Sequence, residues 1–386
     1  MIRVLGKGLT AQALKDTLED VELYDDSNFK DYDLNSDEVT IVSPGIPPFN
    51  NMVKNAKNLM SDYDYFASTM PFSIWISGTN GKTTTTQMTQ HLLEEYNSVC
   101  GGNIGTPISK LDKTSKIWIL ETSSFTLHYT NIAKPNLYIL LPISEDHITW
   151  HNSFKEYELA KLKPLDFMKE GEIAIVPKKY ENYKTNAKLI TYNSSDDLCK
   201  EFGIDKSKIN FKEPFLIDAI LAIAAKKIIF DEIDYEKINS FKVDAHKVEE
   251  VLDKNNRLWI NDSKATNVDA TINALVPYKD RKIHLILGGD DKGANLNPLF
   301  EFLNDYNVDI YAIGTNSDKL ESLCNEYNIK CYNLKYLKDA VINIDINLDK
   351  MGIAMLSPAA ASLDQFSSYA QRGNEFKELI SSLSLN

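Results

Sequence analysis

The residues Ser77-Gly78-Thr79-Asn80-Gly81-Lys82-Thr83-Thr84 hold the plainest chemistry in the chain. Gly78 and Gly81 let the backbone curl until its amides point inward at an anion. A helix opening at Lys82 adds the partial positive charge of its N-terminus. The Lys82 ammonium can reach β- and γ-phosphates, and the Thr83 hydroxyl can sit on Mg²⁺. The full G-x-x-x-x-G-K-[ST] string is not met, because Ile76 stands where its first glycine belongs. The shorter G-x-x-G-K-T, set between an apolar strand and a helix, still predicts nucleotide binding through Gly78, Thr79, Asn80, Gly81, Lys82, Thr83 and Thr84.

Three further residues follow this loop. Ile117-Trp118-Ile119-Leu120 runs into Glu121-Thr122-Ser123-Ser124. A carboxylate at the carboxyl end of a parallel strand lies where ligands bind in open α/β sheets. Glu121 is therefore expected to hold Mg²⁺ opposite the phosphate loop. Ile143-Ser144-Glu145-Asp146-His147 also follows a strand, and Lys161 lies 14 residues beyond His147 on a helical stretch. Each of the three is commonplace alone: a solvated loop acid, a structural histidine, a surface lysine. Their succession after one phosphate loop carries more weight.

The elements that must position them alternate short apolar runs with helical stretches, which predicts βαβ units, parallel sheets and an α/β fold. Ile2–Leu5, Val21–Tyr24, Val39–Val42, Ile74–Ile76, Ile117–Leu120 and Leu137–Leu141 read as strands. So do Ile173–Val176, Leu258–Ile260, Ile283–Leu287, Ile310–Ile313 and Ile353–Leu356. The stretch 178–213 is polar and gives no clear pattern. Boundaries are expected near 70 and 276, giving domains 1–69, 70–276 and 277–386. With 386 residues, two to three domains are expected.

Lys plus Arg number 42 and Asp plus Glu 55, a formal charge of −13. So acidic a chain is a poor general nucleic-acid binder, and no nucleic-acid partner is expected. A phosphate ligand must be held by local amides, lysine or metal. No apolar run approaches the ~20 residues of a membrane span, and Met1–Gly6 reads as a first strand rather than a signal peptide. The four cysteines, Cys100, Cys199, Cys324 and Cys331, form no CxxC pair and read as reduced thiols. A cytoplasmic, membrane-free protein is expected, with a monomer as the default state.

Taken in order, the phosphate loop, Gly102-Asn103-Ile104-Gly105, Glu121-Thr122-Ser123-Ser124-Phe125 and Glu145-Asp146-His147 resemble the Mur ligases, ATP-dependent amino-acid-adding enzymes of peptidoglycan synthesis. Asn261-Asp262-Ser263-Lys264-Ala265-Thr266-Asn267 and Leu287-Gly288-Gly289-Asp290-Asp291-Lys292 look like the D-glutamate-adding branch of that family. Leu356-Ser357-Pro358-Ala359, Ser362-Leu363-Asp364-Gln365-Phe366 and Gln371-Arg372-Gly373-Asn374-Glu375-Phe376 extend the likeness to nearly the whole chain.

The resemblance implies three domains: a small N-terminal Rossmann-like domain for the UDP end of UDP-N-acetylmuramoyl-L-alanine, a central P-loop ATPase domain with a mostly parallel sheet, and a C-terminal Rossmann-like domain that closes the site. It implies ATP and two Mg²⁺ sites, one held by Thr83 and Glu121, the other by His147 and a carbamylated Lys161. A carbamate would present oxygen to a hard cation where an ammonium repels it, and CO₂ adds only to a neutral amine. The substrate carboxylate would attack the γ-phosphoryl of ATP, and D-glutamate would then displace phosphate from the acyl phosphate. By the same likeness Lys82, His147 and Lys161 are catalytic, and Asn261, Asn267 and Asp290 contact ATP. Gly8, Leu9, Thr10, Asp25, Ser43 and Asn103 meet the UDP-substrate, while Lys292, Ser362 and Tyr369 meet D-glutamate.

The chain departs from the family in three places. Tyr24-Asp25-Asp26-Ser27 lacks the arginine many members carry for the uracil end. Pro214-Phe215-Leu216-Ile217-Asp218 replaces a His-Asn-x-x-Asn segment, and a His-Arg pair reads His246-Lys247. Three other readings compete. Gly6-Lys7-Gly8-Leu9-Thr10-Ala11 fits G-x-G-x-x-A, with Asp25 19 residues after Gly6. That alone suggests a dinucleotide oxidoreductase but leaves the phosphate loop and Glu121 unused. A ligase of the superfamily for another amino acid, or a non-catalytic nucleotide-binding module, would share the loop.

Overall fold

The computed structural model describes residues 1–384. Two compact units share the chain: Met1–Phe211 with Phe215–Phe241, and Lys212–Pro214 with the chain from Lys242.

The first unit holds two parallel sheets. β1 (Ile2–Leu5), β2 (Val21–Tyr24), β3 (Thr40–Val42) and β4 (Leu59–Met60) form the order β2-β1-β3-β4. The order reverses at β1, and ligands bind outside the carboxyl ends of strands at such a switch point. β5 (Phe72–Ser77), β6 (Ser98–Gly102), β7 (Ile117–Glu121), β8 (Leu137–Leu140), β9 (Ile173–Pro177) and β10 (Lys188–Tyr192) form the second sheet, in the order β10-β9-β8-β5-β7-β6. Its central strands are continuous apolar runs because helices cover both faces. Ile74, Trp75 and Ile76, and Ile119 and Leu120, are all 0% exposed.

A carboxylate clips these two sheets together. Asp64, on the short helix Asp62–Phe66, accepts from three successive backbone amides, Asn131 at 2.7 Å and Ile132 and Ala133 at 2.8 Å. Ser61 joins in by bonding Thr130 at 2.9 Å. Backbone donors held away from water need partners, and one carboxylate satisfies all three.

The second unit is built on β11 (Glu249–Leu252), β12 (Leu258–Asn261), β13 (Ile283–Gly288), β14 (Val308–Ile313), β15 (Lys330–Lys335) and β16 (Ile353–Leu356). The order is β11-β12-β16-β13-β14-β15, all parallel except β11 against β12. The unit begins at Lys242, not at the expected boundary of 276. β12 belongs to this sheet because it pairs with β16, Leu258 opposite Ile353. A partner so distant in the chain leaves no local trace. The polar stretch 178–213 resolves into β10 and the helix Ser195–Phe202, whose Ser194 and Asp197 form a capping box.

Candidate active site

The phosphate loop runs from β5 into the helix Lys82–Leu93. Gly78 has φ +141°, and a Cβ there would lie 2.4 Å from Leu141 Cβ. Gly81 has φ +82°, with Asp218 Oδ1 2.6 Å from where its Cβ would be. Both positions thus demand glycine, by backbone conformation and by space. Asn80 and Thr84 complete the turn. Thr79 is pinned behind it: its hydroxyl lies 3.0 Å from Tyr157 Oη and accepts from Ser144 N at 3.0 Å. The Lys82 ammonium folds back to donate to Thr79 O at 2.7 Å. It thus occupies an acceptor of the loop itself.

Glu121 ends β7 opposite this loop and is 3% exposed. Thr83 Oγ1 donates to its Oε2 at 2.7 Å, and Asn103 Nδ2 to its Oε1 at 2.6 Å. The phosphate-loop hydroxyl, the strand-end carboxylate and the Gly102-Asn103 turn therefore meet at one point. Gly102, at φ +91°, admits the Tyr63 hydroxyl, which donates to Glu121 O at 3.3 Å.

Lys161, on the helix Phe154–Leu162, is 1% exposed and donates to Gly78 O at 2.7 Å. Burial, and then the positive charge of Lys82, hold its ammonium well below the usual lysine range. The Tyr157 ring faces it, with Lys161 Nζ 4.8 Å from the ring centroid. His147, at 6.1 Å between centroids, and His151, at 5.4 Å, also neighbour that ring. His147 has φ +53° and caps the short helix Ile148–His151, with Phe125 4.7 Å from its ring. Its side chain is about half exposed and lies 3.6 Å from Asp146.

These residues suit Mg²⁺ chemistry. No cluster of three or more His, Cys, Asp or Glu set to hold a metal occurs among the described residues. Mg²⁺ asks for less, one or two carboxylates with the rest of its shell from phosphates and water. Thr83 and Glu121 offer that minimum. A buried lysine held toward its neutral form is the amine that CO₂ requires.

At the N-terminal sheet the expected residues also converge. Gly8 precedes the helix Leu9–Thr17, which begins with Leu9 and Thr10 facing outward. Asp25 stands past the end of β2 and Ser43 past the end of β3. A Cβ on Gly6, at φ +107°, would sit 2.7 Å from Ser43 Oγ, which is buried and has no hydrogen-bond partner.

In the second unit Asn261, Asp290 and Ser362 gather past the carboxyl ends of neighbouring strands β12, β13 and β16. Asp290 bridges to Ala361 and accepts from Lys292 N at 3.0 Å. Lys292 is exposed at φ +49°. Asn267 caps the helix Val268–Leu275 by accepting from Ala270 N at 2.9 Å. Tyr369 opens the helix Tyr369–Ser382, with Lys264 Nζ 4.1 Å from its ring centroid. Ser362 is buried, and its carbonyl accepts from Phe366 N at 2.8 Å. Asn261 is 0% exposed, and its amide donates to His246 Nδ1 at 2.9 Å and Gly373 O at 3.1 Å, which knots β12 to the final helix.

The sequence reading missed Tyr157 and Asp218. Tyr157 precedes Lys161 by four residues, a helical spacing that places both on one face. Asp218, in the departing Pro214–Asp218 segment, accepts from Thr85 Oγ1 at 2.9 Å and backs Gly81. Only the folded chain brings it there.

Comparison with known proteins adds the following. Residues 76–232 match the profile of the Mur ligase middle domain. The UDP-N-acetylmuramoylalanine--D-glutamate ligase of Campylobacter jejuni subsp. jejuni is 49% identical over 400 residues, covering 99% of this chain and 100% of that protein. The enzyme of the same name from Helicobacter pylori is 43% identical over 421 residues, covering 98% and 99%. Among solved structures, MurF ligase from Thermotoga maritima in complex with ADP superposes with TM-score 0.61 at 15% identity, covering 98% of this chain and 93% of that one. MurC from the same organism gives 0.59 at 14%, covering 98% of each. These two show a shared fold.

Proposed function

This chain belongs to the Mur ligase family, among its UDP-N-acetylmuramoylalanine--D-glutamate ligases, and from that premise we propose that it joins D-glutamate to UDP-N-acetylmuramoyl-L-alanine at the expense of ATP, through an acyl phosphate. The observation that carries this reading is the meeting of Thr83, Glu121 and Asn103 beside the phosphate loop, with buried Lys161 behind it.

The substrate carboxylate and the γ-phosphoryl are both anions, so the first step depends on positioning and charge neutralisation. The loop amides of Gly78 through Thr84 cradle the phosphates, and Lys82 leaves Thr79 O to reach them. Thr83 and Glu121 would hold one Mg²⁺, and His147 with the carbamate of Lys161 a second, supplying positive charge between the reacting anions. Asn103 orients the Glu121 carboxylate and the substrate beside it. Tyr157 fixes Thr79 and the face of Lys161. The amine of D-glutamate then attacks the acyl carbon, and phosphate leaves. We assign D-glutamate to Lys292, Ser362 and Tyr369, and further ATP contacts to Asn261, Asn267 and Asp290. The UDP end falls to the sheet of Gly8, Leu9, Thr10, Asp25 and Ser43. A cytoplasmic monomer acting on these small molecules completes the reading; no described helix is long and apolar enough to cross a membrane.

The test is phosphate release from ATP and Mg²⁺ with UDP-N-acetylmuramoyl-L-alanine, adding D-glutamate, L-glutamate, D-alanine or L-lysine separately. Release with D-glutamate alone is expected. Release with another amino acid would move the specificity, and silence throughout would refute the ligase reading.

A further inference from the structure

The β1–α turn contains a lysine that the reaction scheme leaves unused. Lys7 lies between Gly6 and Gly8, at the switch point of the first sheet. Its ammonium is 2.9 Å from Asp25 Oδ1 and 3.5 Å from Ser27 Oγ. Asp25 Oδ1 is crowded, accepting also from Ser27 N at 3.0 Å and from Ser27 Oγ. Its carboxyl is held down to about 2, by the Ser27 hydroxyl first and Lys7 next. The side chains of Lys7 and Asp25 are 42% and 36% exposed, so either can move without unpacking a core.

The surroundings are built for an anion but poor in charge. The Leu9–Thr17 helix presents its N-terminus immediately after Gly8. Independently, the buried and unpartnered Ser43 Oγ points to the same turn across Gly6, a polar atom awaiting a ligand. Against these stand Asp25 and Asp26, on a chain of net charge −13. A diphosphate arriving here meets two carboxylates at the end of β2, and Tyr24–Ser27 offers no cation to offset them.

We propose that Lys7 is the diphosphate-reading residue of this turn, held by Asp25 until the nucleotide-sugar arrives. On binding, the ammonium passes from the carboxylate to the phosphates. Asp25, relieved of its cation, then accepts from hydroxyl or imide donors at the nucleoside end. One ion pair thereby serves both halves of the ligand: Lys7 selects for phosphate charge and Asp25 for the nucleoside. The exchange moves the cation from one anion to another and leaves the Asp25 carboxylate to neutral donors, at a half-exposed site where a single ion pair contributes little. The inference rests on the N-terminal sheet taking the UDP end of the substrate, as proposed above.

Calorimetric titration of the full chain with UDP and with UMP tests it, using wild type, Lys7→Met and Lys7→Arg, with ADP binding as the check on folding. Lys7→Met should weaken UDP about tenfold, the size of one charge-assisted contact, and UMP distinctly less. Lys7→Arg should restore most of the loss, because only the charge is required. Equal weakening of UDP and UMP, or unchanged UDP binding by Lys7→Met, would overturn the assignment while leaving the ligase reading in place. Failure of wild type to bind UDP while it binds ADP would overturn both the assignment and the placement of the UDP end.

Discussion

Glu121→Gln separates the charge of the strand-end carboxylate from its hydrogen bonds. The carboxylate accepts from Thr83 at 2.7 Å and from Asn103 at 2.6 Å. Glutamine can keep both contacts: its oxygen still accepts from one partner, and its amide donates either to a Thr83 hydroxyl turned to accept or to an Asn103 amide flipped to present its oxygen. What is lost is the difference between charged and neutral acceptors, about 1 kcal/mol for each bond, or about 2 kcal/mol together. For a domain of this size that lowers Tm by about 4–8 °C. The fold should survive, and ADP without metal should still bind. Catalysis should not survive: the carboxylate available to a cation beside Thr83 is gone, and phosphate release should fall about a thousandfold, the scale of a lost transition-state charge partner. The assays are thermal unfolding and amino-acid-dependent phosphate release over a Mg²⁺ titration. Activity within tenfold of wild type, at unchanged Mg²⁺ dependence, would refute the metal-holding role of Glu121.

Lys161→Ala should abolish phosphate release, and acetate should restore part of it by replacing the carbamate oxygens; an unimpaired variant would remove Lys161 from the site. Lys82→Ala should lower the same rate by about 10²–10³-fold or more, and a rate within tenfold would rule out its phosphate contact. Gly373→Ala places a methyl 2.3 Å from His246 Nδ1, whose ring is fixed by Asn261. A change that ordinarily gains about 1 kcal/mol in a helix should here lose about 2 kcal/mol by overpacking, read by denaturant unfolding; any stabilisation would contradict the packing. Asp62 is buried, and burial raises its carboxyl from 3.8 to about 7. The folded state therefore binds the extra proton, and its stability is present below pH 4 and lost as pH rises toward 7. The loss is about 4 kcal/mol at most, at 1.36 kcal/mol per pH unit. Asp62→Asn should flatten that slope and unfold later than wild type at pH 8; parallel melting curves from pH 5 to 8 would refute it.

Much of the site was legible because its chemistry is local. The loop Gly78–Thr84 needs glycines, a lysine and a hydroxyl in consecutive positions, and an apolar strand before it is plain in Ile74–Ile76. Glu121 was found by the same logic, as the first polar residue after Ile117–Leu120. Where a residue's role depends on distant partners, the sequence was silent. β12 looks like any short strand until β16 pairs with it, so the boundary at 276 came late. The hydrogen bonds of Asn261 to His246 and Gly373 could not be read either, because those residues lie far from it on either side in the chain. Asp218 reaches the phosphate loop only because a long helix carries it there. Strands β6 and β15 were missed for another reason: Ser98–Gly102 and Lys330–Lys335 are edge strands, where half-exposed positions dilute the apolar pattern.

The Asp64 clip also orders events during synthesis. The N-terminal sheet leaves the ribosome with its carboxylate in place, but the three amides that satisfy it belong to Asn131, Ile132 and Ala133. Those arrive roughly seventy residues later, several seconds at about 5–20 residues per second. In that interval a nascent chain already carrying the turn after β1 and the phosphate loop has no fixed geometry between them. The two halves of the first unit mature together when the loop after the Ser124–Tyr129 helix emerges. An isolated fragment ending near residue 70 would be a poor stand-in for the N-terminal sheet, and a transplant of that sheet into a relative would have to bring residues 131–133 with it.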